Sequence, residues 1–248
     1  MDWTDEGYVL AARRHGESAA IVQLLTRRHG RHAGLVQGGA GAKARGMLQP
    51  GNRVRATWRG RLAEHLGNYR CEPVESNAAA VIEHPAKLAT LSAACAVAES
   101  ALPEREPHET TFDGFAFLMA SFAGDIWAAV YVLWERNLLA ELGYGLDLAS
   151  CAATGVTENL IYVSPKTGRA ASAEAGEPYK DRLFRLPPFL RTDAVGDATP
   201  IDVRDGLIVT GHFLDVHIYR PHNQTLPPAR ARLVDYLTAQ RIRGPAAN

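Results

Sequence analysis

The stretch Arg53-Val54-Arg55-Ala56-Thr57-Trp58-Arg59 carries apolar and polar side chains in strict alternation. Its apolar residues occupy every second position, and the positions between them hold arginines and one threonine. A period of two is typical of a β-strand with one buried face, because successive side chains point to opposite faces of a sheet. The stretch therefore predicts a strand with an apolar inner face, which places Trp58 in a core, and a cationic outer face.

Four more short apolar runs surround this strand and are bounded by residues typical of turns. Turn chemistry occurs at 14–16 (Arg-His-Gly) and at 29–31 (His-Gly-Arg). Five short strands in about 75 residues indicate a small closed barrel, for which the OB-fold is the natural candidate. The predicted strands are 7–11, 20–25, 33–36, 53–59 and 69–74.

A glycine-rich, cationic segment, 38–46, connects the third and fourth predicted strands. Glycine loses more conformational freedom than any other residue when it is fixed in regular structure. We therefore expect this segment to be a flexible loop that carries Lys43 and Arg45.

From about residue 78 the sequence becomes typical of helices, with alanine-rich and leucine-rich periodic segments. Proline in a first turn and a polar residue at the cap are the signals that mark where each helix begins. The predicted helices are Pro85 to Ala101, Ile126 to Leu142 capped by Asp125, one opened by a capping box of Thr199 and Asp202, and one opened by Pro227 and Pro228.

These patterns together predict a multi-domain α+β protein. An OB-fold β-barrel, 1–77, is followed by an α-helical C-terminal domain, 78–248. The segment from about 150 to 198 is rich in Gly, Pro, Ser and Thr, so we expect it to be an irregular insertion between the helical blocks.

The net charge is zero, with 27 Lys and Arg against 27 Asp and Glu, but the charges are unevenly distributed. Residues 1–80 hold 12 basic and 7 acidic side chains, whereas residues 81–150 hold 3 basic and 10 acidic ones. Between residues 13 and 61 there are 11 basic residues, and Glu17 is the sole acidic one. This asymmetry indicates that the predicted barrel binds an anion.

Cations at strand ends, in a flexible loop and along one strand could converge on a groove that follows a nucleic-acid backbone. The same region offers His15, His32, Trp58 and Tyr69 as rings on which bases could stack, although the phase of its strand favours a core position for Trp58. The residues expected to contact DNA are Arg13, Arg14, Arg27, Arg28, Arg31, Lys43, Arg45, Arg53 and Arg55.

Other classes of protein receive little support from the sequence. No apolar run is long enough to span a bilayer, the N-terminus lacks the pattern of a signal peptide, and three scattered cysteines do not form a disulfide framework, so we expect a cytoplasmic protein. P-loop, dinucleotide-binding, nucleophile-elbow and zinc-protease motifs are absent, and we expect neither enzymatic activity nor a cofactor.

An ordered series of motifs resembles the bacterial RecO family of recombination mediators. The N-terminal part of the series precedes and follows the glycine-rich basic segment, and the C-terminal part lies in the helical region. The motifs are Gly7-Tyr8-Val9-Leu10, Gly16-Glu17-Ser18, Leu25-Thr26-Arg27-Arg28-His29-Gly30, Leu48-Gln49-Pro50, residues 134–148, Cys151-Ala152-Ala153-Thr154-Gly155 and Tyr162-Val163-Ser164-Pro165.

This resemblance implies an N-terminal OB-fold, an α-helical C-terminal domain and a non-enzymatic role in DNA repair and recombination. It implies binding to single- and double-stranded DNA, annealing of complementary strands, and contact with the C-terminal tail of single-strand-binding protein. With the partner RecR, such a protein helps to load RecA onto DNA coated by single-strand-binding protein. It would act in the cytoplasm at the nucleoid, with no contact to a membrane.

The sequence departs from the family pattern in the insertion and in the basic segment. Some family members bind zinc there through two cysteine pairs, but here Thr154 stands at the second position and no cysteine follows Cys151. We therefore expect a zinc-less remnant of a zinc finger. The basic segment is also diluted, which moves part of the expected DNA contact to Arg27, Arg28, Arg31, Arg53 and Arg55.

Two other functions remain open from the sequence. The acidic block at 81–150 would suit a protein–protein adaptor whose contact with DNA is incidental. A nuclease would need clustered carboxylates to hold metal ions, and Glu104, Glu106, Glu109 and Asp113 are the nearest approach to such a cluster.

Overall fold

Five strands fill most of the first 75 residues in the computed structural model, which describes residues 1–239. Each of the five predicted strands is confirmed, and the first is longer than expected because its two halves pair with different neighbours. The strands are β1 (Asp2–His15), β2 (Ala19–Thr26), β3 (Gly30–Val36), β4 (Arg53–Arg59) and β5 (Asn68–Glu75).

The strands close into a barrel in the order β1-β2-β3-β5-β4. The first half of β1, Asp2–Tyr8, pairs antiparallel with β4, and the second half, Gly7–His15, pairs antiparallel with β2. Strands β3 and β5 run parallel and meet only at Leu35↔Asn68 and Val36↔Tyr69. This closed five-stranded arrangement fits an OB-fold.

The inward phase of each strand supplies the barrel core. Trp58 is 1% exposed, which confirms its predicted core position, and its indole Nε1–H donates to the Leu66 carbonyl at 3.0 Å. Around it pack Val9, Val22, Leu24, Val54 and Tyr69. Because side chains alternate across each strand, the arginines between these positions are left on the outer surface.

The expectation that 38–46 lacks regular structure is wrong for its second half, where α1 (Ala42–Met47) forms. Backbone amides of Arg45 and Leu48 donate to the Gly41 and Ala44 carbonyls at 2.9 and 2.8 Å. The helix ends on Leu48, which is 2% exposed and belongs to the barrel core. The helix propensity of its alanine, lysine and arginine residues, together with the burial of Leu48, outweighs the conformational entropy that the glycines lose.

Three helices follow the barrel: α2 (Asn77–Val81), α3 (Pro85–Ala101) and α4 (Glu109–Ser121). The predicted limits of α3 are confirmed, with proline in its first turn. Helix α3 packs on β1, and the Cys95 thiol on its buried face lies 3.7 Å from the Val9 carbonyl.

The helices α5 (Trp127–Glu141), α8 (Pro200–Leu214) and α9 (Pro228–Ala239) occupy three of the predicted segments. The capping box of α8 is confirmed, because the Asp202 amide donates to the Thr199 hydroxyl and the Thr199 amide to the Asp202 carboxylate. The predicted Asp125 cap of α5 is wrong. Its N-cap is Ile126, so Asp125 lies outside the position from which a side chain reaches the first free amides.

The expected irregular insertion contains a sheet, so that prediction is wrong as well. Strands β6 (Leu160–Val163), β7 (Ala170–Ser172) and β8 (Phe184–Arg185) pair in the order β7-β6-β8. They are accompanied by the short helices α6 (Ala173–Gly176) and α7 (Phe189–Thr192). Strands of two to four residues are too short for an alternation of side chains to be visible in the sequence.

The chain forms two compact units. Among the described residues, one comprises Met1–Met119 and Pro227–Arg230, and the other comprises Ala120–Leu226 and 231–239. The first unit thus contains the barrel, α2, α3 and most of α4. The sequence-based boundary at residue 77 stays a prediction.

A buried histidine makes the stability of the barrel dependent on pH. His32 is 3% exposed, and its Nδ1 lies 2.9 Å from the Tyr69 hydroxyl. Burial and the nearby charge of Arg105 lower the pKa of His32 to about 4. The unfolded chain, with a histidine pKa of about 6.5, binds this proton more readily between pH 6.5 and pH 4.

We expect the free energy of unfolding to fall by about 3 kcal/mol through this histidine as the pH is lowered from above 6.5 to 4. Guanidinium denaturation followed by circular dichroism at several pH values measures the loss. The variant His32→Gln should be less stable at pH 7 and should lose less stability on acidification. Equal acid sensitivity of the two proteins would contradict the assignment.

Candidate nucleic-acid interface

The eight arginines and one lysine predicted to contact DNA lie on the first compact unit and divide into two groups. In the first group, each guanidinium forms an ion pair with a carboxylate. This group comprises Arg13, Arg27, Arg28, Arg31, Arg53 and Arg55. In the part of the chain that the structure describes, no carboxylate pairs with the second group, which comprises Arg14, Lys43 and Arg45.

Carboxylates from α3, α4 and the segment between them neutralise part of the first group. Arg13 pairs with Glu99 at 2.7 Å. Arg27 makes two contacts with Asp113, one of them Nη2 to Oδ2 at 3.0 Å, and also lies 3.5 Å from Glu109. The acidic block following the barrel therefore cancels charge on the barrel surface.

Arg31 is held most firmly. Its Nε donates to the Leu102 carbonyl at 2.7 Å, its Nη1 lies 3.2 Å from Glu104, and its side chain is 16% exposed. Together with the pairs of Arg27, this contact occupies three of the four carboxylates that a metal-dependent nuclease would need: Glu104, Glu109 and Asp113.

The strand β1 supplies most of the remaining carboxylates, and Glu75 at the end of β5 lies 3.6 Å from Arg53. Glu6 lies 2.8 Å from Arg53 and 3.0 Å from Arg55, and Asp5 lies 3.7 Å from the Arg28 Nε. Arg53 also lies over the Tyr8 ring at 5.8 Å. The cationic outer face of β4, which the alternation predicts, is thus partly neutralised by its two antiparallel neighbours.

Of the nine predicted cations, the three without carboxylate partners in the described part of the chain lie at one end of the barrel. Arg14, at the end of β1, donates to the carbonyls of Gly16 and Glu17 at 3.1 and 3.0 Å. Arg45 on α1 shares with it a depression of about 340 Å³, which is also lined by Gly39, Ala40, Leu48, Gln49 and Pro50. Lys43 lines the adjoining hollow on the other side of α1. We call Arg14, Lys43 and Arg45 the cationic end.

Local structure keeps this end exposed. Gly16, with φ of +62°, forms the tight turn after β1 in a conformation that favours glycine. Helix α1 packs only Ala44 and Met47, both partly buried, against the barrel core, and Lys43 and Arg45 are exposed to solvent. Exposed guanidinium and ammonium groups of this kind bind phosphate through charge-assisted hydrogen bonds and release counterions.

Two of the rings considered for base stacking, His32 and Tyr69, are buried, so this prediction is wrong for them, and Trp58 takes the core position that the phase of its strand favours. They point inward because the barrel needs bulky side chains to fill its interior. His15 is exposed at the end of β1, as the prediction requires.

A ring pair that the sequence reasoning missed lies at the other end of β2. Trp3 and His29 stack with centroids 3.9 Å apart and planes at 7°. His29 Nδ1 lies 3.1 Å from Asp5 Oδ2. The available signal was the position of His29 beside Arg27 and Arg28 in a turn, but nothing in the sequence indicated that Trp3 would lie against it.

The surroundings of Cys151 bear on the expected zinc-less remnant. The Ser172 amide donates to the Cys151 sulfur at 3.3 Å, and hydrogen bonding from Thr154 is the main cause that lowers the pKa of this thiol to about 6. Thr154 thus stabilises the thiolate from the position where the family pattern has a second cysteine.

Within residues 1–239, every helix is too short or too polar to cross a lipid bilayer.

Two family profiles match nearly the whole chain. Residues 1–77 match "Recombination protein O N terminal", and residues 83–226 match "Recombination protein O C terminal".

Full-length relatives show the same similarity. The chain is 53% identical to "DNA repair protein RecO" of Rhodospirillum centenum over 95% of this chain and 94% of the relative. It is 53% identical to the protein of that name from Phenylobacterium zucineum, over 96% of this chain and 98% of the relative. For the Bradyrhizobium diazoefficiens protein, the identity is 50% over 98% of both chains.

Proposed function

Because the chain belongs to the RecO family of DNA repair proteins, we propose that it is a non-enzymatic recombination mediator that binds single- and double-stranded DNA. In this proposal it anneals complementary strands and, with RecR, helps to load RecA onto DNA coated by single-strand-binding protein. It acts in the cytoplasm at the nucleoid and uses no cofactor.

The observation that carries this proposal is the cationic end. Its three cations lie on two separate elements and are free of carboxylate partners in the described part of the chain, whereas the other six predicted residues have them. A phosphate can approach these groups without breaking an ion pair. We therefore propose that Arg14, Lys43 and Arg45 provide the main phosphate contacts and that the paired arginines contribute less.

A salt titration of DNA binding tests the proposal. Each neutralised phosphate of a single strand contributes about −0.7 to the slope of log affinity against log salt. Three contacts therefore predict a slope of about −2 or steeper for an oligonucleotide of about 12 nucleotides. Absence of binding at low salt, or an affinity indifferent to salt, would contradict DNA binding and favour the protein–protein adaptor.

The protein–protein adaptor hypothesis predicts that protein partners bind without DNA. If DNA contact is incidental, RecR and the tail of single-strand-binding protein should bind equally well after nuclease treatment, and DNA affinity should be negligible. The mediator proposal instead requires salt-dependent DNA binding in addition to these contacts.

We further propose that the Cys151 segment is a remnant of a zinc finger that binds no structural zinc. A four-thiolate site cannot form, because the three cysteines of the chain are at 71, 95 and 151. Burial raises the pKa of Cys71 and Cys95 to about 12, which disfavours the thiolate form that a metal would need.

We expect metal analysis of the purified protein to find far less than one zinc per chain. Prolonged dialysis against a chelator should leave the circular dichroism spectrum and the denaturation midpoint unchanged, because packing and hydrogen bonds hold the segment. One zinc per chain that survives purification would contradict this prediction.

A further inference from the structure

His29 ends a column of three rings at the end of the barrel opposite the cationic end. Its ring stacks on Trp3 at 3.9 Å, and Trp3 in turn lies 6.0 Å from Trp58 with planes at 17°. Trp58 is buried in the core, whereas the His29 side chain is 29% exposed. The column therefore connects the rigid interior to one accessible ring.

The orientation of this ring is fixed before any ligand binds. Asp5 Oδ2 accepts a hydrogen bond from the Arg28 amide at 2.9 Å and faces His29 Nδ1 at 3.1 Å. A carboxylate can only accept, so the proton of the imidazole lies on Nδ1. A ring held on two sides loses little conformational freedom when a ligand stacks on it, which favours binding.

A cation lies beside the ring. The Arg28 side chain is 65% exposed, and its Nη2 donates to the Thr4 carbonyl at 2.9 Å while its Nε stays 3.7 Å from Asp5. An accessible aromatic ring next to an exposed guanidinium is the combination by which proteins hold single strands, with the base on the ring and the phosphate on the cation.

We propose that the exposed face of His29 stacks an unpaired nucleobase, which gives the barrel a contact that only single-stranded DNA can make. This inference rests on the proposed function, because it assumes that the barrel binds DNA. The turns at the two ends of β2 are roughly 20 Å apart, so one strand of several nucleotides could reach from the cationic end to this ring. Bases in a duplex are already stacked and paired, so His29 has no face to contact there.

Four variants separate stacking from other roles of His29. His29→Ala and His29→Gln remove the ring, and His29→Phe keeps a ring while removing the contact with Asp5. His84→Ala is the matched control, because His84 is an exposed histidine at the N-cap of α3 whose side chain makes no capping hydrogen bond. Each is titrated with oligo(dT) of about 12 nucleotides and with a blunt duplex of equal length.

We expect His29→Ala and His29→Gln to bind oligo(dT) roughly 10- to 100-fold more weakly, with the same salt slope and with unchanged duplex affinity. His29→Phe and His84→Ala should bind oligo(dT) like the wild type.

The stacking proposal is overturned if His29→Ala leaves oligo(dT) affinity unchanged, if duplex binding falls equally, or if His29→Phe loses affinity to the same extent. Each of these results is distinct from failure of the proposed function, in which the wild-type protein itself shows no salt-dependent binding to either DNA.

Discussion

Replacing Arg14, Lys43 and Arg45 together with alanine should weaken binding to single-stranded DNA roughly 100-fold at low salt. Each exposed cation near a phosphate contributes about 1 kcal/mol, so three contacts amount to about 3 kcal/mol. The slope of log affinity against log salt should become less negative by about 2, because three counterions fewer are released. A fluorescence anisotropy titration at several salt concentrations measures both quantities.

A matched control removes the same amount of charge from residues that already have partners. The triple variant of Arg13, Arg27 and Arg55 to alanine also lowers the net charge by three, but each of these guanidiniums is paired with a carboxylate. We expect this control to change the salt slope by less than about half as much. Similar losses in both triple variants would show that general charge, and no particular surface, determines DNA affinity.

The barrel could be predicted from the sequence because its strands leave a local signal. Alternation in 53–59 and turn residues at 14–16 mark strand faces and ends within a few positions. The limits of α3 and the capping box of α8 could likewise be predicted, because their signals lie within a few residues of each helix end. By contrast, α1 depends on the anchoring of Leu48 in the core, which is a tertiary contact.

The division of the nine candidate cations could not be predicted, because it depends on residues far away in the sequence. Arg27 meets Asp113, Arg31 meets Glu104 and Arg13 meets Glu99, with separations of at least 73 residues. Charge counting located the basic region correctly but could not show which cations are cancelled. From the sequence we expect part of the DNA contact to move from Lys43 and Arg45 to other arginines. The ion pairs of those arginines make that expectation less favourable.

The second large effect concerns the centre of the barrel. We expect Trp58→Ala to lower the free energy of unfolding of the first compact unit by about 3 to 5 kcal/mol, because a large buried ring is replaced by a cavity. A loss of this size is a large share of the stability of a typical domain. Guanidinium denaturation followed by far-ultraviolet circular dichroism measures it, and Trp127 and Trp134 provide a fluorescence signal from the second unit.

Two glycines, Gly60 and Gly67, make room for the indole ring of Trp58. A Cβ on Gly67 would lie 2.3 Å from the Trp58 Nε1, and one on Gly60 would lie 2.4 Å from its ring. Gly67 also has a φ of +61°, so Gly67→Ala should destabilise the unit by strain as well as by overlap. Trp58→Phe keeps a six-membered ring but loses the hydrogen bond to Leu66 and part of the buried volume, so it should cost about 1 to 3 kcal/mol. If Trp58→Ala cost no more than Trp58→Phe, the ring would not be the centre of the packing, and the column from Trp58 through Trp3 to His29 would lack its rigid base.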